Sequence, residues 1–284
     1  MQKIFDCFLS LGPKIQDLII CGETNYTSHV NSSGDTQLAL DVQSDLMIER
    51  ELSNLACVYA LFSEEQEKVR IIHKEGEYSV AYDPIDGSSL LDSNLSVGTI
   101  FGIYAKDFEG KNLVASGYIL YGPRLEIVIA QKDEVGVRHL RFDPKKQEWR
   151  EQERLFLAQK GKINASGGTQ KYWSNQHQKM ILSLFQNGYR LRYSGGMVPD
   201  LHQILVKGGG LFSYPATQDA PQGKLRKLFE VFPFALIFEC AGGEAIDGKS
   251  RLLDLGIQTS HESCPCFFGS KEEIGLVREM DGGK

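Results

Sequence analysis

The stretch YSVAYDPIDGSS, residues 78–89, decides the fold and carries the chemistry of this chain. A short apolar run ends in two aspartates three residues apart, Asp83 and Asp86, and a Gly-Ser-Ser turn follows them. Hard cations such as Mg²⁺ take oxygen ligands, which both carboxylates and the Ile85 carbonyl can supply. A helix that begins at the Gly-Ser-Ser turn would offer free N–H groups to an anion. The stretch therefore combines metal ligands with anion donors, as metal-assisted phosphoryl transfer requires.

The composition limits the class of protein. The chain has 284 residues and a formal net charge of -6, which fits one large domain or two packed halves. This acidic balance argues against a nucleic-acid partner, and an anionic ligand would have to be held by local cations. Six scattered cysteines without a CxxC pair, and no secretory signal, indicate reduced thiols in the cytoplasm. Polar residues interrupt the apolar stretch from Ile4 to Ile20, which predicts an amphipathic helix rather than a membrane span.

Short alternating segments on both sides of the aspartates predict a sheet. Residues 57–62 predict a buried strand, and residues 69–73 and 77–82 predict a hairpin that leads into the aspartate loop. After the loop, five further segments alternate like a meander: residues 97–105, 113–121, 125–131, 135–142 and 148–150. Such a run of strands indicates a largely antiparallel sheet and not a repeated βαβ unit.

A second half of the chain begins near residue 155. Helical periodicity covers residues 171–187, 198–206, 225–240 and 271–280, and short strands are predicted at residues 190–193, 211–214 and 266–268. The same periodicity predicts a helix over residues 35–55 in the first half. The fold class is therefore predicted to be α/β (α+β), with mixed or antiparallel sheets covered by helices in two packed halves, residues 1–155 and 156–284.

Four groups of acidic residues end short predicted elements. They are Asp35 with Asp41, Glu64 with Glu65, Asp83 with Asp86, and Glu230. Carboxylates crowded together repel one another unless cations neutralise them, so their convergence would predict a multi-metal Mg²⁺ or Mn²⁺ site. Taken singly, each is typical of a solvated acid or a helix cap, and that interpretation is favoured for Asp35 alone. The DPIDGSS letters by themselves are equally consistent with a capped strand-to-helix turn.

The second half carries candidate phosphate ligands of the opposite charge. Arg192 and Tyr193 end one predicted strand, and Tyr214 ends another. Lys224 precedes Glu230 by six residues on one predicted helix, so one segment could reach both a phosphate and a metal. Ordinary amphipathic charge explains Arg226 more simply. The sequence contains no HExxH, GxSxG, Walker A or GxGxxG motif, which argues against the chemistries that those motifs support.

Seven segments in order resemble the class I fructose-1,6-bisphosphatases, within the lithium-sensitive, metal-dependent sugar phosphatase superfamily. They are SGDTQLALDVQSD (33–45), FSEE (62–65), YDPIDGSS (82–89), SVGTIFGIY (96–104), RYSGGMVPDLHQIL (192–205), LFSYPAT (211–217) and GKLRKLFEVFPFALIFECAGG (223–243). The resemblance implies a layered α/β/α/β/α fold and a cytoplasmic homotetramer that acts in gluconeogenesis. It also implies hydrolysis of the 1-phosphate of fructose 1,6-bisphosphate with two or more Mg²⁺ per subunit, or with Mn²⁺.

The resemblance also implies roles for individual residues. The metal ligands would be Glu64, Asp83, the Ile85 carbonyl, Asp86 and Glu230, with Asp35 and Glu65 at a weaker metal position. Asp41 and Glu65 would be the catalytic pair that orients and deprotonates the attacking water. The 1-phosphate would be held by Gly87, Ser88, Ser89 and Lys224. The 6-phosphate would be held by Asn164, Tyr193, Tyr214 and an Arg192 from the neighbouring subunit, with Met197 near the sugar.

Departures from the family pattern leave the substrate and its regulation open. Leu90 replaces the usual asparagine, and the segment after Asn164 lacks the usual tyrosine. A broader bisphosphatase that also accepts sedoheptulose 1,7-bisphosphate is therefore an alternative, and a non-catalytic sugar-phosphate sensor is another. The complete set of acidic residues disfavours the sensor. The nucleotide site of AMP-inhibited members would carry Glu77 and Ala105 at basic positions and lack its N-terminal segment, so little AMP inhibition is expected.

Overall fold

The structure is a computed structural model that describes residues 1–22, 26–30 and 36–282. Its helices are α1 (Gln2–Cys21), α2 (Ala39–Ser53), α3 (Asn175–Gln186), α4 (Met197–Val206), α5 (Phe232–Cys240) and α6 (Lys271–Gly282). Its first ten strands are β1 (Tyr26–Val30), β2 (Thr36–Leu38), β3 (Val58–Ser63), β4 (Arg70–Ile71), β5 (Tyr78–Asp86), β6 (Val97–Ala105), β7 (Leu113–Tyr121), β8 (Leu125–Gln131), β9 (Arg138–Asp143) and β10 (Glu148–Glu151). The last five are β11 (Ile163–Ser166), β12 (Arg190–Leu191), β13 (Gly210–Tyr214), β14 (Glu244–Ile246) and β15 (Cys266–Gly269). Within the described residues, no helix is long and apolar enough to cross a membrane.

The first half is built on an eight-stranded sheet with the order β10-β9-β8-β7-β6-β5-β3-β4. The predicted meander is confirmed, because β5 to β10 pair antiparallel with their neighbours in chain order. The predicted hairpin before the aspartates is wrong. β4 pairs with β3, and β5 lies parallel to β3 on its other side. Alternation shows that a segment is a strand, but it does not show which strand lies beside it.

The second half contains a five-stranded sheet with the order β12-β11-β13-β15-β14. The strands β12, β11 and β13 run parallel to one another. The strand β15 runs antiparallel to both of its neighbours, β13 and β14. The helix predicted over residues 225–240 is wrong in its first part. Lys227–Val231 forms a π-helical turn, and the α-helix begins only at Phe232. Pro233 in the first turn favours a helix start here, because proline has no N–H to donate to the preceding turn.

The eight-stranded sheet, the five-stranded sheet and the six helices pack into five layers. On one face of the large sheet, α1 and α2 bury an apolar core in which the Phe8 and Phe101 rings stack at 3.8 Å. On its other face, α4, α5 and the π-helical turn lie between the two sheets and form the largest core. Beyond the small sheet, α3 and α6 close a third core around Trp173 and Phe267. The layers are therefore α/β/α/β/α, as predicted, and α4 and the π-helical turn occupy the middle layer beside the carboxyl end of β5.

Candidate active site

The two aspartates lie on the last residues of β5, where the strand pairing is irregular. Asp83 pairs with Ile100 and Asp86 with Gly98, so the register shifts between them. The Thr99 hydroxyl donates a hydrogen bond to the Pro84 carbonyl at 2.7 Å, which holds the irregular segment in place. Irregular pairing changes the direction in which side chains point. Asp83 and Asp86 are both buried, each with 6% of its surface exposed.

Four further acids, from separate segments of the chain, act on Asp83 through their charges. Burial is the main cause that raises its pKa well above the usual range, and the next are the charges of Asp86, Glu230, Glu65 and Asp41. Charges act this strongly on a buried carboxyl only at short range. Asp41 comes from the first turn of α2, Glu65 follows β3, and Glu230 lies in the π-helical turn. Three separate elements thus bring acidic side chains to the end of β5.

Protein N–H groups hold two of these carboxylates. The Met197 and Val198 N–H groups at the start of α4 donate to the two oxygens of Asp86 at 3.1 and 2.7 Å. The Arg226 N–H donates to Glu230 at 2.6 Å. Burial raises the pKa of Asp86 to about 7 and also raises that of Glu230, although these hydrogen bonds act in the opposite direction. The acids are therefore positioned by backbone groups in a site that disfavours their charge.

The chemistry of these donors suits a hard divalent cation. Buried carboxylates and a nearby main-chain carbonyl are the donor set that Mg²⁺ prefers, and a cation would relieve the repulsion that raises the pKa of Asp83. As they stand in residues 1–22, 26–30 and 36–282, no three Asp, Glu, His or Cys side chains are close enough together to hold a metal ion. A physical reason is that protein donors engage several of them, since Glu64 pairs with the Arg226 guanidinium and Asp86 accepts the α4 N–H groups. Asp35 lies outside the described residues.

The Gly-Ser-Ser turn packs against a second glycine turn. Gly87 has a left-handed backbone with φ of 77°, and Ser88–Ser93 forms a short 3₁₀ helix where the sequence predicted a helix start. A Cβ placed on Gly87 would lie 3.3 Å from the Gly196 Cα and 3.3 Å from the Leu90 Cδ1. Leu90, which departs from the family pattern, therefore fills the space between the two turns.

A cavity of about 150 Å³ runs from the acids to the second half of the chain. It is lined by Asp86, Tyr193, Gly195, Gly196, Met197, Asp200, Phe212, Tyr214, Lys224, Leu225 and Glu230. Lys224 is close enough to Glu230 for its charge to lower the pKa of that carboxyl against the effect of burial. The cavity thus has an acidic end at Asp86 and Glu230, one cation beside it, and two phenol groups beyond.

Comparisons with known proteins agree with this geometry. The family model "Fructose-1-6-bisphosphatase, N-terminal domain" matches residues 14–154, and its C-terminal counterpart matches residues 157–281. This chain belongs to the fructose-1,6-bisphosphatase family. Fructose-1,6-bisphosphatase class 1 of Helicobacter hepaticus is 56% identical over 98% of each chain. The Campylobacter curvus protein of the same name is 52% identical over 99% of this chain and 94% of its own.

Solved structures of this family superpose on nearly the whole chain. Leishmania major fructose-1,6-bisphosphatase in its holo form has a TM-score of 0.92 and 31% identity, covering 99% of this chain and 94% of its own. A putative sedoheptulose-1,7 bisphosphatase from Toxoplasma gondii has a TM-score of 0.90 and 30% identity, covering 99% of this chain and 93% of its own. The fold of the family is therefore shared, whichever sugar each member takes.

The two tyrosines of this family member meet at a glycine turn that sequence reasoning missed. The Gly168 backbone lies beside both phenols, where it acts against the effect of burial on the pKa of Tyr193 and of Tyr214. Burial is the main cause that raises the pKa of both tyrosines, so both remain neutral donors at physiological pH. A Cβ on Gly167 would lie 2.5 Å from the Tyr214 ring and 2.9 Å from the Tyr193 hydroxyl. The detectable signal was the Gly-Gly pair after a short apolar segment, which is typical of a strand end.

The structure does not bring Asn164 to the cleft. Asn164 lies within β11, directly beside Leu211 of β13, and it is fully buried. Residues that are paired across neighbouring strands point to the same face of a sheet. Leu211 packs in the core around α3, so the Asn164 side chain also points toward α3. Tyr214 lies three residues beyond Leu211 on β13, where alternation turns it to the opposite face. The strand β11 itself was missed in the sequence, so the face on which Asn164 lies was not predicted.

Arg192 lies outside the cleft of its own chain. It lines a separate cavity of about 180 Å³ with Lys162, Arg190, Gln203 and Lys207. This cavity adjoins β12, the edge strand of the small sheet. Tyr193, the next residue, lines the cleft, so the backbone turns between the two side chains.

The Gly-Ser-Ser turn, by contrast, adjoins the acidic end of the cleft. Gly87 directly follows Asp86 and packs on Gly196, and both of these neighbours line the cleft together with Lys224. Ser88 and Ser89 continue the turn into the 3₁₀ helix. The turn and Lys224 therefore both lie beside the acidic residues of the cleft.

Proposed function

We propose that this chain is a Mg²⁺-dependent enzyme that hydrolyses the 1-phosphate of fructose 1,6-bisphosphate to give fructose 6-phosphate and phosphate. The observation that carries the proposal is a cleft lined by the buried carboxylates of Asp86 and Glu230 together with Lys224, Tyr193 and Tyr214. A small sugar with a phosphate at each end complements such a cleft. Relatives 52% and 56% identical to it are named fructose-1,6-bisphosphatase class 1. A cytoplasmic role in gluconeogenesis belongs to the same proposal.

The acidic end would bind two or more Mg²⁺ ions through Glu64, Asp83, the Ile85 carbonyl, Asp86 and Glu230, with Asp35 and Glu65 at a weaker position. Divalent cations there, Mg²⁺ or Mn²⁺, would polarise the phosphoryl oxygens and lower the pKa of a bound water. Lys224 and the N–H groups of residues 87–89 would hold the 1-phosphate in line for attack. Asp41 and Glu65, whose charges both reach Asp83, would orient the attacking water and accept its proton.

The phenol end of the cleft would bind the 6-phosphate. Tyr193 and Tyr214 offer neutral hydroxyl donors, and Met197 lines the same cleft. Hydroxyl donors can bind a phosphate that takes no part in the reaction. Arg192 would complete this subsite from a neighbouring copy in a homotetramer, which is supported by its position outside the cleft of its own chain.

The proposed activity is tested by measuring phosphate release from fructose 1,6-bisphosphate with and without Mg²⁺. We expect one phosphate per sugar, strict dependence on the metal, and no release from fructose 6-phosphate. A sugar-phosphate sensor would bind the bisphosphate without turnover, so binding without phosphate release at saturating Mg²⁺ and Mn²⁺ would reject the enzyme and favour the sensor.

Sedoheptulose 1,7-bisphosphate is a second candidate substrate. Gly167 and Gly168 stand beside the two tyrosines with no side chain of their own, so the distal end of the cleft is built partly from backbone. A structural neighbour with a TM-score of 0.90 is named a putative sedoheptulose-1,7 bisphosphatase. The ratio of kcat/KM for the two sugars decides the matter. A ratio near one would show a broad bisphosphatase, and a large preference for the shorter sugar would exclude it.

Regulation by AMP is expected to be weak. Tyr78 pairs with Ala105 across β5 and β6, and the charge of Glu77 helps burial to raise the pKa of Tyr78. The Glu77 carboxylate would repel a phosphate bound beside it, and the Ala105 side chain carries no positive charge to offset this repulsion. We therefore expect initial rates at saturating Mg²⁺ to change little up to millimolar AMP. Sigmoidal inhibition by micromolar AMP would contradict this expectation.

A further inference from the structure

A buried charge cluster lies between the large sheet and α4. The cleft lies on the other side of the start of α4. Its centre is Glu126 on β8, with 3% of its surface exposed. His139 Nε2 and His202 Nε2 lie 2.8 and 3.3 Å from one carboxylate oxygen, Oε2. Arg141 Nε and Arg124 Nε lie 2.9 and 3.1 Å from the other, Oε1. Burial opposes the charge of Glu126, but the hydrogen bonds from His139, His202 and Arg141 outweigh it and hold its pKa well below the usual range.

His202 is the member of this cluster that belongs to α4. Its Nδ1 lies 2.9 Å from the Tyr118 hydroxyl of β7, while its Nε2 faces Glu126 of β8. The Tyr118 ring is itself held by stacking on Phe234 at 5.0 Å. Both ring nitrogens of His202 are therefore tied to the large sheet, and the other imidazole, His139, connects β9 to β8 within that sheet.

The other attachment of α4 to the sheet is at its first turn. Val198 packs so closely on β6 that a Cβ on Gly98 would lie 2.4 Å from the Val198 Cγ1. Residues four apart lie on the same face of a helix, so Val198 and His202 face the sheet together. The Met197 and Val198 N–H groups are the donors to Asp86 described above. First-turn N–H groups have no partner inside their helix, so Asp86 is what holds these two.

We propose that His202 is a positioning residue, which fixes α4 through Glu126 and Tyr118 so that the Met197 and Val198 N–H groups hold Asp86 in place. The proposal rests on the proposed function in one respect, that Asp86 is a metal ligand. Groups that orient a metal ligand affect metal affinity without touching the metal. Leu201, Ile204 and Leu205 also pack α4 into the core, and apolar packing lacks the directional geometry that the hydrogen bonds of His202 impose. The hydrogen bonds to Asp86 require that the start of α4 stays in register.

The chain offers a matched control for this idea. His139 donates to the same carboxylate oxygen as His202 and is buried, but it lies on β9 and reaches α4 only by an edge-on contact with the His202 ring at 6.0 Å. Replacing either histidine removes one partner of Glu126 and destabilises the cluster. Only the replacement of His202 releases the helix, so the two variants separate positioning from plain stability.

The experiment compares His202→Leu with His139→Leu in the full-length protein. In metal-free protein, we expect His202→Leu to speed amide exchange at Met197 and Val198 by about tenfold or more, because a local attachment is lost. We expect Mn²⁺ binding, followed by electron paramagnetic resonance, to weaken by about tenfold. His139→Leu should lower the melting temperature by a similar amount and leave both readings near those of the wild type. His202→Gln, which keeps a donor for Glu126, should move both readings back toward the wild type.

Two results would overturn the proposal: equal effects of the two leucine variants, or no change at Met197 and Val198 in His202→Leu. The exchange measurement needs neither metal nor substrate. A wild-type protein that bound no Mn²⁺ would therefore count against the proposed function and leave the exchange test of α4 intact.

Discussion

The Arg226 guanidinium pairs with the Glu64 carboxylate, and the N–H of the same arginine donates to Glu230 at 2.6 Å. One residue therefore holds two of the proposed metal ligands, which come from β3 and from the π-helical turn. Both side chains of the pair are largely buried, at 15% and 13% exposure. The pair lowers the cost of collecting carboxylates in a buried site, where their repulsion would otherwise be uncompensated.

Replacing Arg226 with methionine should therefore destabilise the metal-free protein more than the Mg²⁺-bound protein. Breaking one partner of a buried pair leaves an uncompensated charge, at a cost of about 3 kcal/mol. Mg²⁺ supplies positive charge at the same place, so it should restore part of the loss. Thermal melts with and without Mg²⁺ measure both effects. Arg190→Met, at an exposed arginine outside the cleft, is the control and should change neither melt. Equal losses with and without Mg²⁺ would contradict the prediction.

Asp83→Asn should separate catalysis from folding. The amide keeps the shape of the side chain and removes the charge that burial and four other carboxylates oppose. We expect the metal-free protein to melt at the same or a higher temperature, because one repulsive charge is gone. Turnover of fructose 1,6-bisphosphate should fall by at least about 100-fold, since charge stabilisation at the phosphoryl group is lost. Near-normal turnover in a folded variant would remove Asp83 from the proposed metal site.

The acidic half of the site could be predicted from the sequence because its residues follow apolar strands. Asp83 and Asp86 end β5, and Glu64 and Glu65 lie where β3 ends. Two parallel neighbouring strands bring the residues at their ends to one edge of a sheet. The parallel pairing of β3 and β5 that achieves this was itself missed, because a hairpin was expected between residues 69 and 82.

The phenol half of the site was predicted less well because it depends on where the short strand β11 begins and ends. β11 has four residues, and its apolar and polar side chains alternate too briefly to show which face is covered. Asn164 was therefore assigned to the 6-phosphate from the family resemblance alone, whereas the layer around α3 covers its side chain.

Glu230 illustrates a different limit. Helical periodicity placed it on a regular helix, and the π-helical turn that positions it has no distinctive pattern.

Gly167→Ala tests the role of the glycine turn. The added Cβ would lie 2.5 Å from the Tyr214 ring and 2.9 Å from the Tyr193 hydroxyl, so both phenols must move. A phosphate bound equally in ground and transition states affects KM more than kcat, and we expect KM to rise by about tenfold with little change in kcat. Gly256→Ala is the control, because its Cβ would meet nothing within 4 Å. An unchanged KM in Gly167→Ala would show that the tyrosines do not bind the distal phosphate.

His177→Phe should make the protein less sensitive to acid. His177 is buried in the core around α3, between the Trp173 and Phe267 rings, and neither ring nitrogen has a hydrogen-bond partner in the part of the chain that the structure describes. Burial lowers its pKa from 6.5 to about 4. Between these values the unfolded chain binds a proton that the folded protein does not, so the free energy of unfolding falls as the pH drops from 6.5 to 4.

The size of this effect follows from the shift in pKa. Each unit corresponds to 1.36 kcal/mol, so the loss for His177 on going from pH 7.5 to pH 4 is on the order of 3 kcal/mol. Phenylalanine has a similar shape and takes up no proton, so the variant should keep this stability at low pH. Urea unfolding of both proteins at several pH values measures the difference. We expect the two proteins to have similar stabilities at pH 7.5 and the variant to be more stable at pH 4.5. Parallel pH profiles would contradict the prediction, because they would show that His177 takes up a proton in the folded protein as readily as in the unfolded chain.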